Sequence, residues 1–304
     1  MEVAVYGAGA IGSLVGARLH EAGASVRLIG RQDHVDAIRA NGLLLKDQDE
    51  TRRVRLPATT TLPDDADIIL LTVKSQDVTS ACRDIAGLPS SATVVTMQNG
   101  VRSDGEAAGI LGRDRIVGCV LNISATYLEP GVVEQNTSAL LQVGAPFPES
   151  TARVDAVLTL LSSAVKTERV PDITRARWTK LMANLNNAIM AITGLPIGKA
   201  LRHPGLVRTF RLMSTLPMPL AYLVFGGRLA GNFPPESTYG PSTLQSLQRG
   251  SSSELEYLNG EIVTLGERIG RPTPYNTGLL NGGRRVFETH QHMTAEELLR
   301  SFRF

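Results

Sequence analysis

The chain has 304 residues, of which 42% are hydrophobic and 20% charged, and its formal net charge is +2. That length favours two domains over one core, and the composition is that of an ordinary globular protein. So small a charge excludes the basic footprint of a nucleic-acid binder and the polybasic segment of a membrane-surface protein. The most apolar stretches, residues 181–197 and 216–225, are broken by asparagine or proline and are too short to span a bilayer. Cys82 and Cys119 are isolated, so neither a metal site nor a disulfide framework is expected. A ligand motif starts at residue 7, which leaves no room for a presequence, and the expected setting is cytoplasmic.

The first element names a ligand. Val3-Ala4-Val5-Tyr6 is a short apolar strand that runs into Gly7-Ala8-Gly9-Ala10-Ile11-Gly12, and an apolar helical pattern follows through Leu14, Ala17 and Leu19. In such a G-x-G-x-x-G turn, Gly7 permits the tight bend, Gly9 the approach of a pyrophosphate, and Gly12 close packing of helix on strand. The helix start then offers free N–H groups and its positive dipole end to the phosphates. A second strand, Ser25–Ile29, ends in Gly30-Arg31-Gln32. An NAD site wants an acid near this strand end, whereas an arginine suits a 2′-phosphate. No acid stands at 29–31, so Arg31 points to NADP(H).

Strand and helix patterns continue to alternate up to about residue 145. Residues 67–73, 93–97 and 116–121 are β-type apolar runs, as expected of strands buried on both faces. Residues 75–85 and 103–111 between them are helical in spacing, and 131–133 and 139–143 read as short, antiparallel additions. A helix over 149–165 follows. The expected fold is α/β: an N-terminal Rossmann-type doubly wound sheet over 1–167, then an all-α domain over 168–304. In that second half Leu255, Leu258, Ile262, Leu265 and Ile269 mark one buried stripe. Pro234-Pro235 and Gly240-Pro241 mark a loop.

Residues 178–192 form an unusual helix, on which Lys180, Asn184 and Asn187 share one stripe at i, i+4 and i+7. Asparagine is a poor helix former, so the stripe is either a buried polar ladder or a set of donors facing a polar ligand. The chain holds five lysines in all, which favours the ligand, with Lys180 as proton donor. Downstream, Ser242-x-x-Gln245 and Ser251-x-x-Glu254 both fit the spacing of a capping box. Lys74 and Asn99 end strands of the first domain, where open α/β sheets bind ligands.

Taken together these pieces resemble the ketopantoate (2-dehydropantoate) reductases over nearly the whole chain. The resemblance rests on Gly7–Gly12, Arg31, Thr72-Val73-Lys74-Ser75-Gln76, Met97-Gln98-Asn99-Gly100 and Pro130-Gly131-Val132. It rests equally on Lys180, Asn184 and Asn187, on Ser242, and on residues 253–260, Ser-Glu-Leu-Glu-Tyr-Leu-Asn-Gly. It implies that Lys180 is the catalytic lysine and that Glu254 works beside it at cofactor and substrate. It further implies that Lys74, Gln76, Asn99 and the Ala125 backbone meet the NADP(H) cofactor, and that Asn99, Asn184, Asn187 and Ser242 contact a small 2-oxo acid. Three departures stand out: the two asparagines are three residues apart instead of four, Ile197 replaces an expected asparagine, and Ser246 an expected acid.

The reading is an NADPH-dependent reductase of 2-dehydropantoate with its site between the two domains. A paralogue reducing another 2-oxo acid or imine is the alternative, and a non-catalytic NADP sensor a more distant one. A homodimer stays open.

Overall fold

The computed structural model describes residues 1–47, 50–88, 91–200, 202–213, 243–244, 247 and 253–302. It divides into two compact units, Met1–Trp178 and Thr179–Phe304. Strands of the first unit are β1 (Glu2–Tyr6), β2 (Ser25–Ile29), β3 (Leu43–Lys46), β4 (Thr51–Val54), β5 (Ala58–Thr59), β6 (Ile68–Leu71), β7 (Thr93–Thr96), β8 (Ile116–Asn122), β9 (Ala125–Glu129), β10 (Val132–Gln135), β11 (Leu140–Gly144) and β12 (Thr167–Arg169). Its helices are α1 (Ala10–Glu21), α2 (Gln32–Asn41), α3 (Val78–Ala86), α4 (Ser103–Leu111), α5 (Val154–Ser162) and the start of α6 (Ile173–Asn184).

Alternating side chains explain why helices cover both faces of the main sheet. Val3 and Val5 of β1 join Ile68 and Leu70 of β6 in one apolar layer, while Ala4 joins Ile69 and Leu71 in another. The strand order is β12-β11-β8-β7-β6-β1-β2-β5. From β8 to β5 every pairing is parallel, and β11 runs antiparallel to β8. The chain steps from β1 to β2 on one side and later to β6 on the other, so the order reverses at β1. This is the doubly wound sheet expected. A second sheet, β4-β3-β10-β9, is an addition that the alternation did not predict. It takes the expected strand near 131–133, which pairs with β3 and β9 and not with the main sheet. Cys82 and Cys119 are buried and form no disulfide, and burial pushes the Cys82 thiol up to about 11.

The second unit is helical throughout its described residues: α7 (Asn187–Thr193), α8 (Ile197–Ala200), α9 (Pro204–Met213), α10 (Asn259–Arg268), α11 (Pro274–Thr289) and α12 (Ala295–Arg300). Its core joins Ala188–Ile192 of α7 to Leu255, to Leu279, Leu280 and Val286 of α11, and to Leu298 of α12. The expected stripe from Leu255 to Ile269 holds only in part. Leu255 and Leu258 are buried, but α10 ends at Arg268 and Ile269, just past it, is 62% exposed. No described helix is long and apolar enough to cross a membrane.

The division between units falls inside α6, beyond the expected boundary at 167, because the first turns of that helix pack on the sheet. Ile173 lies over Gly118 and Gly144, where any Cβ would come within 2.8 Å and 3.1 Å of it. Arg177 is 3% exposed and its guanidinium is fully engaged. It donates to both carboxylate oxygens of Asp104 at 2.7 Å, to the Thr96 carbonyl at 2.9 Å and to the Gln98 carbonyl at 3.0 Å. The fork thereby fixes the first-unit part of α6, Ile173–Trp178, against α4 and the end of β7. Removing one partner of a buried ion pair strands the other charge, at a cost of about 3–5 kcal/mol. Asp104→Ala should therefore lower the unfolding free energy by that amount in urea titration, and a loss below about 1 kcal/mol would show that the pair is dispensable.

Candidate functional site

The glycine turn has the shape that a dinucleotide needs. Gly7 has φ +110, and a Cβ there would lie 2.5 Å from the Val73 backbone nitrogen. At Gly12 a Cβ would lie 2.4 Å from the Gly7 carbonyl oxygen and 2.5 Å from the Thr72 hydroxyl. Gly9 differs: the nearest atom to its Cβ position is 3.9 Å away, so that side of the turn is open. No side chain caps α1, and its first turn carries no acid. The N–H groups of Gly7, Ala8 and Gly9 are bonded within the protein, to the carbonyls of Ile29 and Gly7, so what suits an anion here is the open approach at Gly9 together with the positive end of an uncapped helix. Ala8, Ala10 and Ile11 lie within the same turn. Thr72 steadies it from just past the end of β6, its hydroxyl donating to the carbonyls of Gly7 at 2.9 Å and Tyr6 at 3.2 Å.

Other predicted residues gather at the same ends of the parallel strands. Arg31 follows β2 as the N-cap of α2 and is exposed. Lys74 and Gln76 follow β6 in a short 3-10 turn, and Asn99 follows β7; all three are half-buried. Two side chains knit these loops together. The Gln98 amide donates to the carbonyls of Leu71 at 2.7 Å and Val73 at 3.0 Å, and the Ser75 hydroxyl donates to the Asn99 carbonyl at 3.1 Å. Ala125 instead opens β9, in the second sheet, where it pairs with Gln135.

In the second unit the expected single helix is broken. Lys180 and Asn184 keep their i, i+4 relation in α6, but α6 ends at Asn184 and Asn187 starts α7. Asparagine side chains compete with helical backbone bonding, and the Asn186 amide donates back to the Ala183 carbonyl at 3.3 Å. The Leu185 carbonyl is met by Asn259, whose fully buried amide donates to it at 3.3 Å and to Asn276 Oδ1 at 3.0 Å. Lys180, Asn184 and Asn187 are each half-buried.

Glu254 lies in the segment that ends at this bridge. It precedes a 3-10 turn, Leu255–Tyr257, and is itself outside any helix. The capping box expected of Ser251-x-x-Glu254 therefore does not fit, since Glu254 would have to stand inside the first helical turn. Ser253 does local work in its place, its hydroxyl accepting from the Leu255 N–H at 3.1 Å. Leu255 seats against Gly283 of α11, where a Cβ would lie 2.1 Å from Leu255 Cδ1. Ser242, Gln245, Ser246 and Ser251 lie outside the described residues, and so does the loop predicted around Pro234. Ile197 opens α8.

Two family models match the chain: "Ketopantoate reductase PanE/ApbA" over residues 3–146 and "Ketopantoate reductase PanE/ApbA C terminal" over residues 229–284. The chain belongs to the ketopantoate reductase family. A 2-dehydropantoate 2-reductase of Mesorhizobium japonicum is 29% identical across 94% of this chain and 98% of its own length. One from Halobacterium salinarum is 32% identical across 67% of this chain and 69% of its own. Among solved structures, a PanE/ApbA family ketopantoate reductase from Ralstonia eutropha superposes with a TM-score of 0.83 at 31% identity, covering 96% of this chain and 100% of that one. A D-mandelate dehydrogenase solved with NADH and anilino(oxo)acetate has the same fold, with a TM-score of 0.83 at 22% identity and coverage of 96% and 100%.

Within this family fold, two further buried polar side chains have no role in the sequence reading. Asn259 is one; it belongs to the motif at 253–260, where, four residues after Leu255, it falls on the stripe that spacing assigns to the core. His34 is the other. It is 1% exposed beneath the start of α2, its Nδ1 accepting from the Gly131 N–H at 2.9 Å and its Nε2 lying 3.0 Å from the Ser13 hydroxyl. A backbone N–H can only donate, so the ring is neutral with its proton on Nε2. Burial holds the imidazole below its ordinary 6.5, with Asp33 pulling weakly the other way. The unfolded chain then takes up a proton that the fold resists, so stability present above that pH is lost as pH falls through the folded value. Melting temperatures of wild type and His34→Asn, compared from about pH 8 to about pH 5, should differ most at the alkaline end and converge in acid. A constant gap would remove His34 from the acid response.

Proposed function

We propose that this chain reduces 2-dehydropantoate to pantoate with NADPH, a step of pantothenate biosynthesis. Gly7–Gly12 would hold the pyrophosphate on the α1 N-terminus. Arg31 would pair with the 2′-phosphate, and Lys74, Gln76, Asn99 and the Ala125 backbone would complete the cofactor contacts. The open side of Gly9 and the uncapped α1 start support this fit. When bound, the reduced nicotinamide supplies hydride to the carbonyl carbon of the oxo acid. Lys180 stabilises the negative charge that develops on the carbonyl oxygen and delivers a proton to it from Nζ. Glu254 orients that ammonium or accepts from the substrate hydroxyl. Asn99, Asn184, Asn187 and Ser242 hold the carboxylate and hydroxyl of the substrate in place.

The observation that carries this reading is a half-buried lysine one helical turn before Asn184, in a chain of this family. It favours an enzyme over a cofactor sensor, which needs no proton donor. A second reading, a reductase of another 2-oxo acid, is favoured by the D-mandelate dehydrogenase neighbour, solved on the same fold with anilino(oxo)acetate. Absorbance of NADPH in the presence of a panel of oxo acids separates these readings. Turnover with ketopantoate supports the first, turnover with another acid alone the second, and none at all the sensor.

Arg31→Ala should weaken NADPH binding by roughly ten- to a hundredfold, the worth of a charge-assisted hydrogen bond of about 1.5–3 kcal/mol, and spare NADH. A wild type that prefers NADH would overturn the cofactor assignment. Lys180→Ala should cut kcat by about 10²–10⁴-fold with NADPH affinity intact. Unfolding of that variant at normal specific activity would return Lys180 to a structural role. Glu254→Gln, which keeps shape and loses charge, should fold normally yet lose at least about tenfold in kcat/KM, or ~1.4 kcal/mol of transition-state stabilisation. Full activity would strike Glu254 from the mechanism.

A further inference from the structure

Three parts of the first unit meet at His34. Ser13 stands in the first turn of α1, directly after Gly12. His34 stands in the first turn of α2, whose N-cap is Arg31. Gly131 makes the turn between β9 and β10 with φ +78, in the Pro130-Gly131 pair that no catalytic reading has used. A neutral imidazole joins all three: it accepts from Gly131 and donates to Ser13, while its ring packs against Tyr127 at 4.9 Å. Gly30, between β2 and Arg31, lies in the same packing, where a Cβ would come 3.0 Å from Ala8 Cβ and 3.7 Å from His34 Cδ2.

An apolar residue could fill the space, as Val35 and Ile38 do on the same helix. It could not satisfy the buried Gly131 N–H, and an unmet buried donor is costly. Hydrogen bonds also fix direction, which apolar packing does not. The ring therefore sets the angle at which α2 leaves β2, and with it the placement of the Arg31 backbone relative to the α1 start. A planar guanidinium fork reads a phosphate only when its stem begins in the right place.

We propose that His34 is a positioning residue for cofactor discrimination, holding the Arg31 end of α2 in register with the phosphate-binding turn through Ser13 and Gly131. This rests on the assignment of Arg31 to the 2′-phosphate. Its action passes through Arg31, so its loss selectively weakens NADPH and leaves NADH nearly unchanged. Asparagine places an acceptor near the position of Nδ1, so His34→Asn retains the Gly131 bond and much of the discrimination.

The test is a thermodynamic cycle on dissociation constants for NADPH and NADH, measured by protein fluorescence on folded protein. His34→Ala is expected to raise the NADPH constant about tenfold, as coupled neighbours do, and the NADH constant less than about twofold. Once Arg31→Ala is in place, adding His34→Ala should change NADPH binding little further, and His34→Asn should recover most of the single-variant loss. Should His34→Ala fail to fold, Ser13→Ala replaces it in the same cycle, with a smaller NADPH-selective loss expected. Equal weakening of both cofactors, additive effects with Arg31→Ala, or unchanged affinity in a folded variant would each overturn the proposal. If Arg31→Ala alone leaves NADPH binding intact, the 2′-phosphate assignment has failed, and that single variant shows it independently of His34.

Discussion

The contact on which the rest of the first unit depends is the crossing of α1 over β1 and β6, where there is no room for a side chain. A Cβ at Gly12 would meet the Gly7 carbonyl, and one at Gly7 would meet the backbone of Val73. Backbone thus packs on backbone at the point where the strand order reverses. This seats the start of α1 between the ends of β1 and β6, with the Gly9 side open. Arg31, Lys74, Gln76 and Asn99 stand at strand ends of the same sheet. Thr72 closes the turn from below, and Gln98 ties the next two strand ends to each other. The site owes its shape to missing side chains as much as to those present.

In the second unit polar side chains do the corresponding work. The interruption between α6 and α7 leaves helical backbone groups in a buried setting, where unmet carbonyls are costly. Asn259 meets the Leu185 carbonyl, and Asn276 in turn holds Asn259. The segment that carries Glu254 is so joined to the one that carries Asn184 and Asn187, with Leu255 seated on Gly283 beside it. Both units use buried hydrogen bonds to fix a place where regular structure ends.

The sequence made the main sheet legible because its strands are buried on both faces and so are apolar without interruption, as in Ile68–Leu71 and Thr93–Thr96. The second sheet was not legible. Thr51–Val54 and Val132–Gln135 are short and half polar, and β10 finds its partner β3 across a long stretch of chain. The glycine turn and the strand-end residues around it could be read because each has a chemical reason for its identity. Periodicity misled at two places. It carried one helix across residues 185–186, where asparagine side chains compete for the backbone, and it carried the α10 stripe one residue too far, to Ile269. The roles of His34 and Asn259 left no trace in spacing, since their partners are backbone groups whose positions only the fold supplies.

Both cysteines of the chain are buried in the sheet unit, and the Cys82 thiol, held near 11, stays protonated in neutral buffer. Thiolate is the reactive form, so the folded protein presents almost no background to maleimide or iodoacetamide reagents. One cysteine introduced on the surface would then be a unique attachment point for a dye or spin label. The signal of that one label could follow cofactor binding in the otherwise native chain, with no need to remove its own sulfurs first.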